Sequence, residues 1–171
     1  MEPFIITNGG EFDFNRPQEF DIKDIALALS NTCRFGGHIK KHYSVAQHCV
    51  YLSHMVPPED MLAGLLHDAH KAYVGEMVLP LKSLIPEYVK LEGWVATALR
   101  EYFGLSGDSP DSVSRANLQL LAAEQRDLLG DRGRGWEILR GVTLIPWQVV
   151  PWTADEARIA FLQRWSSRWR L

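Results

Sequence analysis

The chain has 171 residues, 46% of them hydrophobic, with 18 Lys and Arg against 21 Asp and Glu for a net charge of −3. That length suits one compact domain with a substantial core, and the charge balance gives no footprint for duplex nucleic acid or an anionic membrane. Cys33 and Cys49 are too few for a disulfide scaffold, no leader pattern opens the chain, and no uncharged apolar run nears the roughly 20 residues a bilayer requires, so the expected location is cytoplasmic.

From Phe4 to Phe14 apolar and polar residues alternate around Asn8-Gly9-Gly10, the pattern of a small hairpin or an extended arm. Past Pro17, the segment Asp21 to Ser30 predicts a short helix with acids in its first turn, stopping before Asn31. The glycine pair in Cys33-Arg34-Phe35-Gly36-Gly37-His38-Ile39-Lys40-Lys41-His42 predicts a loop, rich in cations and imidazoles. Tyr43 to Met55 predicts a helix whose inward face carries Val45, Cys49, Leu52 and also His48. Pro57-Pro58 ends it, and Glu59 and Asp60 open the next helix, where Met61, Leu62, Leu65, Leu66, Ala69, Ala72 and Tyr73 make a continuous apolar stripe.

Asp68 falls inside that stripe, His67 lies on its flank and Lys71 one turn beyond. A carboxylate set in hydrocarbon is costly unless a cation or a metal compensates it. After Gly75 comes a loop with Glu76 and Lys82, framed by Pro80 and Pro86, then a helix from Glu87 to Phe103 closed by Gly104. Ser109 as N-cap and Pro110 at the first helical position start a further helix to about Leu129. Its inner stripe of Val113, Ala116, Leu120, Leu121 and Leu128 also takes in Asn117 and Glu124. Residues 131 to 152 read as loop, with a short candidate strand at Val142 to Ile145. The capping box Thr153-Ala154-Asp155-Glu156 opens a last helix bearing Phe161, Leu162, Trp165 and Trp169 on one side, as core or subunit interface. Together these elements predict an all-α helical bundle of about five to seven helices with a small N-terminal hairpin or arm. It is a single domain over 1–171, with its core in 21–130 and a Trp-rich helix at 153–169.

Three separate helices thus present polar groups on faces that should be apolar: His48, then His67 with Asp68, then Asn117 or Glu124. Imidazoles and a carboxylate suit one divalent transition ion, zinc, cobalt, manganese, iron or nickel, which acidifies bound water and polarises a phosphoryl or carbonyl oxygen. Arg34, Lys71 and Lys82 would then neutralise phosphate. Each residue also has a plainer reading. His48 alone could be a hydrogen-bonded core histidine, Lys71 a partner for Asp68 or Glu76, and Asn117 a polar group satisfied by backbone. Glu124 and Asp127 are reserve ligands, otherwise solvated or paired with Arg126.

The stretches Cys33-Arg34-Phe35-Gly36-Gly37-His38, Tyr43-Ser44-Val45-Ala46-Gln47-His48, Leu65-Leu66-His67-Asp68-Ala69, Ala72-Tyr73 and Pro80-Leu81-Lys82 resemble the HD-domain metal-dependent phosphohydrolases, in particular small bacterial and phage proteins. The resemblance implies a mostly helical fold, a divalent ion, a homo-oligomer, and hydrolysis of phosphate esters of nucleotides, including deoxynucleoside monophosphates and triphosphates. It implies His48, His67 and Asp68 as metal ligands, with Asn117 where the family has its distal Asp. It further implies Glu76 and Lys71 in catalysis, and Arg34, Phe35, His38, Lys71 and Lys82 on the substrate. The chain departs from the family at three places: Lys71 and Asn117 stand where close relatives carry acids, and Glu76 where Asp is usual. The expected function is a metal-dependent nucleotide phosphohydrolase, a nucleotidase or a deoxynucleoside triphosphate triphosphohydrolase. The alternative is a nucleotide-binding or regulatory protein on the same scaffold, with catalysis weakened by Lys71 and Asn117.

Overall fold

The computed structural model describes residues 4–7, 9–15, 19–105, 107–130 and 135–167; Asn8, Pro17 and Trp169 lie outside them. The fold is all-α. A hairpin of β1 (Phe4–Thr7) and β2 (Gly10–Asp13) opens the chain, antiparallel with Thr7 opposite Gly10. Phe12 roots it in the core, its ring centroid 4.2 Å from that of Tyr73. Helix α1 (Ile22–Asn31) begins at Asp21, whose side chain accepts the Lys23 N–H, and runs one residue past the predicted end.

Helix α2 (Val45–Met55) starts later than the periodicity predicts, because Ser44 takes the N-cap position and accepts the Gln47 N–H. Tyr43 is thereby left in extended backbone, where its C=O accepts the Arg34 N–H at 2.9 Å and its ring is fully buried. α2 runs through the middle of the molecule. Val45, Ala46, Cys49 and Val50 join a core cluster with residues of α1 and the last helix, while Leu52 joins a second cluster with Val113, Ala116 and Leu120. A helix apolar on nearly every side must be enclosed on every side.

The helix predicted through the His-Asp pair is broken. It forms α3 (Met61–Leu65), a run of turns, and α4 (Lys71–Val74). Between them the bonds tighten from i→i+4 to i→i+3: His67 N–H to Gly64, Ala69 to Leu66, Lys71 to Asp68, Ala72 to Ala69. Tight turns of this kind in mid-helix often mark functional sites. The predicted stripe keeps its inward sense, with Met61, Leu65, Leu66, Ala69 and Tyr73 buried.

The loop expected around Lys82 contains a short helix, α5 (Leu79–Lys82), before α6 (Pro86–Tyr102). Helix α7 (Asp111–Glu124) has Pro110 at its N-cap position, so the expected cap from Ser109 is not made. Its predicted continuation to Leu129 is instead a wide π-turn, Gln125–Leu129. The strand expected at Val142 to Ile145 does not form, as no strand lies beside it to accept a ladder among the described residues. Side chains of the π-turn take up that backbone: Arg126 donates to the C=O of Ile145 and Trp147, and Asp127 accepts the Val149 N–H at 2.7 Å. Helix α8 (Ala154–Ser167) opens on the capping box as expected, with Thr153 N–H donating to Glu156 at 2.7 Å and Glu156 N–H to the Thr153 hydroxyl. It packs on α1 and α2. Among the described residues no helix is long and apolar enough to cross a membrane.

Candidate metal centre

Four elements bring the polar groups together. α2 supplies His48, fully buried. Its Nδ1 meets Glu124 Oε1 of α7 at 2.7 Å, which turns Nε2 toward Asp68. That Nε2 is buried and has no hydrogen-bond partner among the described residues. It lies 3.9 Å from Asp68 Oδ2, and His67 Nε2 lies 3.9 Å from Asp68 Oδ1. The ligand atoms of His48, His67 and Asp68 all fall within 4.8 Å of one another. Ligand atoms on a shared ion, at bonds of about 2.0–2.2 Å, sit roughly 3–4 Å apart. The group therefore fits a divalent cation, and the turn at residues 66–70 is what aims both His67 and Asp68 at His48.

The surroundings suit that reading. Burial pushes the His67 imidazole down to about 4, against the pull of Asp68, so it stays a neutral donor through the physiological range. Burial alone would raise the Asp68 carboxyl, yet Lys71, the two histidines and Arg34 hold it well below the usual carboxylate range. Lys71 Nζ sits 3.1 Å from Asp68 Oδ2 and 2.6 Å from Glu76 Oε2. Burial opposes the charge on that ammonium, but the two carboxylates raise its pKa above the ordinary lysine value.

Glu124 corrects the sequence reading, which left it solvated, paired with Arg126 or in reserve. It is fully buried, and its two oxygens serve three partners: His48, the Tyr43 hydroxyl at 2.7 Å, and Arg34 at 2.8 and 3.2 Å. Burial would raise its pKa, but Arg34 and His48 hold it down at about 2. Arg126 pairs with the neighbouring Asp127 instead. Glu124 thus orients the His48 ring from behind, as carboxylates do for ligating histidines in metal sites. Its place in the inner stripe of α7 was the signal available in the sequence. Tyr43 and Trp136 carried none.

Arg34 is also more committed than expected. Its Nε and Nη2 donate to Glu124 and its Nη1 to Asp68 at 3.4 Å, which leaves one N–H on each terminal nitrogen. The tight turn Arg34–Gly37 places it, with Phe35 at φ 58° and Gly36 at φ 60°, both left-handed. Such a conformation costs a non-glycine residue roughly 1–2 kcal/mol. It drives Arg34 inward and leaves Phe35 on the wall of a cavity of about 830 Å³.

His67, Asp68, Lys71, Glu76, Lys82 and Asn117 all line that cavity. Phe35 and Trp136 form an aromatic side, with ring centroids 6.2 Å apart. Lys82 is paired with Glu92, which His70 also meets at 3.3 Å. His38 is exposed and does not line the cavity. Asn117 reaches the cavity wall as a half-buried residue. Arg34 and Lys71 face Asp68, Glu76 and Glu124, two cationic groups against three anionic, and the excess negative charge favours a cation.

No family model matches the chain. It is 38% identical over 167 residues to the uncharacterized protein YfdR of Escherichia coli strain K12, covering 95% of this chain and 94% of that one. It is also 32% identical over 110 residues to an uncharacterized protein of Rhodobacter capsulatus, 58% of this chain and 56% of the relative.

Proposed function

We propose that the chain, which belongs to the family of the Escherichia coli protein YfdR, is a metal-dependent phosphohydrolase of nucleotides built on an HD-domain scaffold. The observation that carries the reading is the buried, partnerless Nε2 of His48, held against His67 and Asp68 by the Glu124 carboxylate. A buried polar atom without a partner needs a reason, and a divalent ion is the partner its neighbours would select. Asn117, on the same cavity, is our candidate for a further, neutral oxygen ligand.

Such an ion supplies a nucleophilic water near neutral pH and withdraws charge from a phosphoryl oxygen. The chain's own groups do the rest. Glu76 holds or moves the proton at its carboxylate, with Lys71 alongside at 2.6 Å. The remaining N–H groups of Arg34 and the ammonium of Lys82 meet phosphate oxygens at the cavity wall. Phe35 and Trp136 offer the rings against which a nucleobase stacks. The cavity is within the usual range for small-molecule sites, roughly 300–1,000 Å³.

One observation favours a second reading, a nucleotide-binding protein with weakened catalysis. The Lys71 ammonium lies 3.1 Å from the Asp68 carboxylate and so competes with a metal for it. Metal analysis of the purified protein, with phosphate release from a panel of nucleoside mono- and triphosphates in manganese, cobalt and zinc, separates the two. Turnover that depends on added metal and disappears in His67→Ala supports the first. Nucleotide binding without turnover in any metal overturns it in favour of the second.

A further inference from the structure

A second cavity, of about 530 Å³, lies between the hairpin, the start of α1 and the ends of α4, α6 and α8, and none of the metal-centre residues lines it. Its wall carries four carboxylates, Glu11, Glu19, Asp21 and Asp24, and among the described residues no Lys or Arg. The other wall is aromatic, including Phe20, Tyr73 and Trp165.

Asp24 is the informative member. It is 8% exposed. Its Oδ2 accepts the Gly9 N–H at 2.7 Å, while Oδ1 is buried with no hydrogen-bond partner among the described residues. A β-carbon at Gly9 would stand 2.9 Å from Asp24 Oδ2 and 3.8 Å from Asp21 Oδ2, so the two carboxylates converge on one spot at the cavity edge. Burial, then Asp24 and Asp21, push the Tyr73 phenol up, which puts both charges beside that ring. Asp24 and Tyr73 also line a smaller adjoining cavity of about 180 Å³, apolar through Leu27, Ala28 and Ala72. A buried carboxylate oxygen with no donor is costly, and an aromatic face attracts a cation as a carboxylate does.

We propose that this cavity binds a small organic cation, a primary ammonium on an aliphatic stem. The ammonium sits between Asp21 and Asp24 and donates to Asp24 Oδ1, and the stem lies against Tyr73 and Phe20. Its hydrogens satisfy the oxygen that the described residues leave without a donor. The site is separate from the metal centre and stands whether or not the chain hydrolyses nucleotides.

Isothermal titration calorimetry with 1,4-diaminobutane, butylammonium and butyrate, all at one ionic strength, tests it on the full chain. Both ammonium compounds bind and butyrate does not. Asp24→Asn keeps an oxygen for the Gly9 N–H but loses the charge, and weakens binding by about tenfold or more, the loss of one charge-assisted hydrogen bond. Asp21→Ser keeps an N-cap side chain for α1 and gives a similar loss, so it decides the matter if Asp24→Asn does not fold. Failure of both ammonium compounds to bind, or wild-type affinity in Asp21→Ser, overturns the proposal. Equal binding of butyrate also does so, because it shows a merely apolar cavity.

Discussion

Glu124 is the residue on which the buried charge depends. It holds the Nδ1 of His48, the hydroxyl of Tyr43 and the guanidinium of Arg34, and is itself fully buried. Glu124→Leu leaves the buried guanidinium with Asp68, at 3.4 Å, as its remaining hydrogen-bonded carboxylate, and breaking the Glu124 pair from one side costs about 3–5 kcal/mol. Urea denaturation measures it; a loss below about 1 kcal/mol means that water reaches Arg34. Glu124→Gln keeps an acceptor and most of the packing, so its larger effect falls on metal affinity, a drop of about ten- to a hundredfold read by competition with a chromophoric chelator. Unchanged affinity in a folded Glu124→Gln removes the carboxylate from the metal centre. His48 and Asp68 were legible in the sequence because each is polar where the periodicity demands hydrocarbon, and both are buried, whereas His67 stood out as the flanking neighbour of Asp68. The sequence could not assign Glu124 over Asp127, since the choice turns on a π-turn after residue 124 that no helical periodicity encodes.

At the level of elements, the helices were readable and their interruptions were not. Amphipathic spacing located α1, α2, α6, α7 and α8, with boundaries shifted where a cap intervened, as Ser44 does for α2. The break at residues 66–70 is invisible to a stripe count, because tightening the turn leaves Leu65, Leu66 and Ala69 still facing inward. The segment after α7 escaped prediction for a related reason, its order coming from side chains rather than from a ladder. Gln47 shows this: its amide donates to Val150 C=O at 2.7 Å and accepts the Trp152 N–H at 2.9 Å. Gln47→Leu strands both backbone groups and is expected to cost about 1–3 kcal/mol, with residues 150–152 becoming the first site of limited proteolysis. An unaltered cleavage pattern counts against the clamp.

Asp127 anchors the other end of that segment and titrates with it. Hydrogen bonding to Arg126 holds its carboxyl below the usual 3.8, burial opposing and the Val149 N–H assisting. Since the folded pKa is depressed, the stabilisation is fully present above the unfolded value and is lost as pH falls through the folded one. Asp127→Asn should therefore be less stable than the parent by about 1–2 kcal/mol at pH 7, with the gap closing below about pH 4. Thermal denaturation at several pH values reads it, and a gap independent of pH assigns the effect to packing.

Across the whole molecule, α2 is the common wall of two apolar clusters, one shared with α1 and α8 and one with α7. The candidate metal centre draws its groups from α2, from the turn at residues 66–70 and, through Glu124, from α7. The consequence concerns the order of synthesis. Glu124 bonds to partners 76, 81 and 90 residues earlier in the chain. Arg34, Tyr43 and His48 leave the ribosome long before the carboxylate that makes their burial tolerable. A chain cut after Gly107 leaves Arg34 only its 3.4 Å pair with Asp68 and takes away the acceptor of the Tyr43 hydroxyl and of His48 Nδ1, and is expected to show no cooperative thermal transition by circular dichroism; a sharp transition would mean that the core closes without α7. Until α7 emerges, the growing polypeptide has every incentive to keep its central helix wet, and commitment to the native state is deferred until Glu124 has been made.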